Sequence, residues 1–85
     1  MEFEWDAEKS AKVKAERGAS FEELQAAINE GGLLAVEKGN DEPEQFLFIV
    51  NLEGKIWCVV VERRVEALRI VTAYQSRKWR KKYGF

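Results

Sequence analysis

The chain has 85 residues, a formal net charge of −1, 46% hydrophobic and 34% charged residues and one proline, a balance that supports a packed core and excludes a disordered tail. A single cysteine excludes an intramolecular disulfide or a Cys-rich zinc site, and the absence of histidine removes the commonest general base and metal ligand. Charge is unevenly placed: residues 1–61 carry 6 Lys/Arg and 13 Asp/Glu, whereas residues 62–85 carry 8 Lys/Arg and 2 Asp/Glu.

In chain order, Glu2-Phe3-Glu4-Trp5 alternates and predicts a short strand with Phe3 and Trp5 on one face. Asp6 is placed to N-cap a mostly exposed helix from Ala7 to Arg17, which Gly18 ends. Ser20-Phe21-Glu22-Glu23 is a capping box for a second helix to about Glu30, with Phe21, Leu24, Ala27 and Ile28 at helical spacing and Gly31-Gly32 as its stop. Leu33 to Glu37 reads as a strand and Lys38 to Pro43 as a polar loop.

Glu44 to Leu52 and Lys55 to Arg63 are strands joined at Glu53-Gly54, apolar on both faces and so expected to be central and covered on both sides. After a turn at Arg64-Val65-Glu66, Ala67 to Tyr74 is a further strand, with Arg69 expected on the same side as Val71 and Ala73. A basic helix from about Ser76 to Tyr83 closes the chain. The order predicts one α+β domain over residues 1–85: a small antiparallel β-sheet meander with two N-terminal helices and one basic C-terminal helix.

No Gly-rich phosphate loop and no metal-ligand cluster is present, so no cofactor and no metal are expected. Cys58, among valines, reads as a packing residue. Glu2, Glu4 and Asp6 are explained by capping and solubility. Apolar runs such as Val59–Val61 are far too short for a membrane span and Glu2 and Glu4 spoil a signal peptide, so no membrane association and a cytoplasmic location are expected.

The run from Arg77 to Tyr83 interleaves cations with Trp79 and Tyr83. Guanidinium and ammonium groups neutralise phosphates and aromatic rings stack on unpaired bases, whereas the plainer reading has the aromatics dock the helix on the sheet. The expected arrangement brings Arg69, Arg80 and Tyr83 together across the sheet as a phosphate-binding patch.

The chain resembles the BrnT toxin family. The resemblance rests on Phe3-Glu4-Trp5-Asp6-Ala7-Glu8-Lys9, Gly18-Ala19-Ser20-Phe21-Glu22-Glu23, the hairpin around Glu53-Gly54-Lys55, Glu66-Ala67-Leu68-Arg69-Ile70-Val71-Thr72-Ala73, and the closing Arg77-Lys78-Trp79-Arg80-Lys81-Lys82-Tyr83. It implies a RelE-like fold and a metal-independent endoribonuclease that inhibits translation. It also implies neutralisation by a cognate BrnA-like antitoxin of ribbon-helix-helix type, with operator DNA bound only through that antitoxin. RNA, including ribosome-associated messenger RNA, is the implied substrate. Arg64, Arg69, Arg80 and Tyr83 are the candidate catalytic residues, and Arg63, Tyr74, Arg77, Lys78, Lys81 and Lys82 the candidate RNA-binding ones. This chain has Glu16-Arg17 where the family usually has Lys-His, and Tyr74 where it usually has arginine. A catalytically inactive protein-interaction or RNA-binding module is therefore the competing reading.

Overall fold

The computed structural model describes residues 1–39 and 44–84. Asp6 accepts hydrogen bonds from the amides of Glu8 and Lys9 at 2.8 and 3.2 Å and starts α1 (Ala7–Arg17). Gly18, at φ 102°, ends it in the left-handed conformation and returns its amide to the Lys14 carbonyl at 3.0 Å. The Ser20–Glu23 capping box is reciprocal, at 3.1 and 3.0 Å, and opens α2 (Phe21–Ala27). Helix α2 stops short of the expected Glu30. The chain widens into a π-type turn over Ile28–Gly32 that keeps Ile28 buried while it delivers the chain to the sheet.

Strands β1 (Leu33–Lys38), β2 (Gln45–Leu52), β3 (Lys55–Arg63) and β4 (Leu68–Gln75) form an antiparallel sheet in the order β1-β2-β3-β4. Glu53 and Gly54, at φ 53° and 83°, make the tight turn between β2 and β3, and the Asn51 side chain accepts from the Gly54 amide at 2.9 Å. Of the loop expected over Lys38–Pro43, Lys38 instead ends β1, and residues 40–43 lie outside the described residues. The expected N-terminal strand is also corrected. It shrinks to one parallel bridge, in which Glu4 bonds the Leu68 carbonyl and the Ile70 amide, both at 2.9 Å. The Asp6 cap begins α1 two residues later and leaves no length for a strand. Helix α3 (Arg77–Tyr83) completes an α+β fold.

Two apolar layers result. On one face Val13, Phe21 and Leu24 of the helices, with Phe3, pack against Phe48, Val50, Trp57, Val59, Val61 and Ile70. On the other, Ile49, Ile56 and Cys58 pack under Trp79 of α3. Ile56, Trp57 and Cys58 are 2%, 2% and 0% exposed, as a strand apolar on both faces requires. A fully buried aliphatic side chain such as Ile56 contributes about 1.5–3 kcal/mol. Ser10 is the one buried polar residue among those described. It accepts from the Phe21 amide at 2.9 Å and donates to Glu22 at 2.6 Å, tying α1 to α2.

A bulge corrects the expected facing of β4. Val61 pairs with Ile70 but Val60 pairs with Thr72, so one extra residue sits in β4. Ile70 and Ala73 therefore both enter the helix-side core, and Arg69, paired with Glu62, lies on the opposite face from Ala73.

Candidate functional site

Helix α3 is short, and Arg77 and Lys78 occupy its first turn, where the helix dipole disfavours cations. Seven residues do not hold a helix by propensity alone. Tertiary contacts fix it instead. Ser76 caps it, accepting from the Trp79 amide at 3.2 Å, and the Ser76 amide donates to the Ile56 carbonyl at 3.2 Å, which pins the helix start to β3. Trp79 is buried and stacks on Tyr83, ring centroids 6.0 Å apart. At the far end the Tyr83 hydroxyl donates to Glu37 of β1 at 2.5 Å, and Lys82 reaches the same carboxylate at 3.4 Å. The hydroxyl bond holds the Glu37 carboxyl below the usual carboxylate range and pushes the Tyr83 phenol up.

This docking leaves the cations of α3 outside. Arg77 and Arg80 line a cleft of about 300 Å³ with Ser76, Gln75 of β4, Gly54 of the β2–β3 turn, and Lys55 and Ile56 from the start of β3. Among the described residues three cations line it and no carboxylate does. A shallower concavity on the outer face of α3 is lined by Arg77, Lys78, Arg80 and Lys81. Among the described residues none of these four, nor Lys55, makes an ion pair.

The other candidates lie elsewhere. Arg63 pairs with Glu44 at 3.1 Å and Arg64 with Glu62 at 2.6 Å, at the opposite end of β3. Arg69 stands across from Glu62 near that same end, six residues or roughly 20 Å along β4 from Gln75. Tyr83 reaches β1, three strands from β4, so the expected meeting of Arg69 with Arg80 and Tyr83 does not occur. What the sheet does place on one face, at its two ends, is Arg69 and Tyr74. Their partners Glu62 and Cys58 alternate onto the face that α3 covers. Tyr74 is exposed, and the Cys58 thiol opposite it on β3, with partial burial, pushes its phenol up to about 12. Among the described residues no group of three or more His, Cys, Asp or Glu is placed to hold a metal ion.

Sequence reasoning missed Lys55 and Arg17. Lys55 lies just after the hairpin turn, and the antiparallel pairing of Trp57 with Gln75 brings it to the start of α3. The hairpin signal held that information, but only once β4 was laid beside β3. Arg17, at the end of α1, donates from Nη1 to the Ala73 carbonyl at 2.9 Å and to the Thr72 hydroxyl at 3.1 Å. No local pattern marks it.

The family model of the ribonuclease toxin BrnT of type II toxin–antitoxin systems matches residues 5–82. No curated protein and no solved structure matches the chain.

Proposed function

Because the chain belongs to the BrnT family of ribonuclease toxins of type II toxin–antitoxin systems, we propose that it is a metal-independent endoribonuclease of RelE-like fold whose cleavage of messenger RNA in the cytoplasm inhibits translation. The observation that carries the assignment of the site is the cleft between α3 and the start of β3, where Arg77, Arg80 and Lys55 converge with no acidic residue in its lining among the described residues.

Cleavage without a metal uses the ribose 2′-hydroxyl. Its oxygen attacks the adjacent phosphorus, the P–O5′ bond breaks, and a 2′,3′-cyclic phosphate and a 5′-hydroxyl result. Negative charge gathers on the non-bridging oxygens at the transition state. Two guanidinium groups held around the phosphate stabilise that charge, and their planar forks bind oxygen pairs in a way an ammonium does not. Arg80 and Arg77 take this role. Tyr74, Lys78 and Lys81 contact RNA flanking the cleft, and Arg69 extends the same face toward the far end of β4.

Proton transfer is the weak part of this site. With its phenol at about 12, Tyr74 is no base near neutral pH, and Tyr83 already spends its proton on Glu37. Lysine and arginine are protonated at that pH. Chemistry is then slow, or the ribosome supplies the missing group. The same observation favours the second reading, an interaction module that retains the fold without the activity.

The family implies an antitoxin partner. In our reading that antitoxin is a BrnA-like ribbon-helix-helix DNA-binding protein that covers the basic end with acidic segments. Expression of the chain without an antitoxin in a bacterial host tests the whole proposal. Growth arrest with cleaved messages is expected, whereas normal growth with intact messages establishes the module.

A further inference from the structure

A second, smaller cleft adjoins the first. Arg17, Lys55 and Gln75 line it together with Trp57, Leu52 and the turn residue Glu53, and its volume is about 100 Å³. Trp57 and Leu52 belong to the helix-side layer, whereas Ile56 and α3 line the first cleft, so the two lie on opposite faces of the sheet. They meet over its end at Lys55 and Gln75, which line both. Arg17 is held in place by its two bonds from Nη1 to β4, which leave the Nη2 and Nε donors of the fork for a ligand. A guanidinium already fixed in this way loses little freedom when it takes up an anion. Among the described residues Glu53 is the single carboxylate of this lining, against two cations.

We propose that Arg17 and Lys55 form a second phosphate subsite, which binds the backbone of a single-stranded RNA as the strand bends over the end of the sheet. The proposal rests on the reading of the Arg77–Arg80 cleft as the RNA site. Its consequence is that this toxin engages at least two phosphates of one strand, on either side of Lys55. The acidic segment of a protein partner is the competing occupant, but the continuity of the two clefts through Lys55 favours one polyanionic strand.

The test is binding of a non-cleavable 2′-O-methyl RNA decamer, followed by fluorescence anisotropy from low to high salt, with Arg17→Gln, Lys55→Gln and Arg80→Gln. Arg17→Gln and Lys55→Gln are expected to weaken binding about two- to fivefold, the range of one exposed charge contact. Each should also reduce the slope of log K against log salt by about 0.7, as for one phosphate released by a single strand. Because Lys55 lines both clefts, Arg17→Gln decides the second subsite, and thermal melts beside an Arg17→Lys variant, which keeps the charge, separate a lost anion contact from a lost fold. Wild-type affinity and slope in folded Arg17→Gln, with Arg80→Gln impaired, overturn the second subsite and leave the first cleft standing. No effect of any of the three overturns the cleft reading itself. A glutamate-rich decapeptide bound in an Arg17-dependent way, with RNA binding unaffected by Arg17→Gln, reassigns the subsite to a protein partner and overturns the proposal.

Discussion

Arg80 and Arg77 are cations that the fold keeps without using them for stability, since neither makes an ion pair among the described residues and both border one cleft. Replacing either with alanine is expected to abolish growth arrest while changing stability by no more than about ±0.5 kcal/mol, as for other exposed positions. Arg80→Lys retains the charge but loses the planar fork, so it should be strongly impaired, whereas Lys81→Arg should be silent. Growth curves at matched expression, read beside thermal melts, check both. Glu23 shows the contrasting kind of charge. Its bond to Lys14 at 2.8 Å and the Ser20 amide hold its carboxyl down to about 2, below the unfolded value of 4.5. A carboxyl lowered on folding stabilises the fold above the unfolded value, and that contribution is lost as pH falls from about 4.5 toward 2. Its side chain is 43% exposed, so screening limits the effect to well under about 1 kcal/mol. Thermal melts over that range should show Tm of Glu23→Gln falling less with acid than Tm of the parent chain.

At the scale of elements, α3 is a docked helix with a latch at each end. Trp79→Ala removes its buried anchor and is expected to cost about 3 kcal/mol, measurable by urea unfolding. Tyr83→Phe deletes only the hydroxyl that holds Glu37. It should lower Tm yet leave growth arrest intact per folded molecule, which separates a latch from a catalytic tyrosine. Both caps, the hairpin and the two-sided core of β2 and β3 were legible in the sequence because each is written in neighbouring residues: Asp6, the Ser20–Glu23 box, Glu53-Gly54, and alternation from Ile56 to Val61. The bulge between Ile70 and Thr72 was not. One extra residue in a strand of β-branched and aliphatic side chains carries no glycine or other local signal, and it reversed the facing of Ala73 relative to Arg69.

The whole molecule separates its charges by position as well as by sequence. The acidic side chains of Glu44, Glu62 and Glu37 neutralise Arg63, Arg64 and Lys82, whereas Lys55, Arg77 and Arg80, which make no ion pair among the described residues, line one cleft at the sheet end where β3 begins and α3 starts. The sequence pointed to the basic C-terminal end, and half of the site is there. The other half, Lys55 and Arg17, comes from segments whose local pattern is unremarkable, and only antiparallel pairing and the docking of α1 bring them to it. Cleavage of a purified RNA by two folded double variants decides where the ribonuclease site lies: Arg77→Ala with Arg80→Ala, and Arg63→Ala with Arg64→Ala. The first pair is expected to lose cleavage with Tm retained, and the second to cleave as the parent does. Cleavage that survives in the first pair, or is lost only in the second, contradicts the placement of the ribonuclease site between α3 and β3.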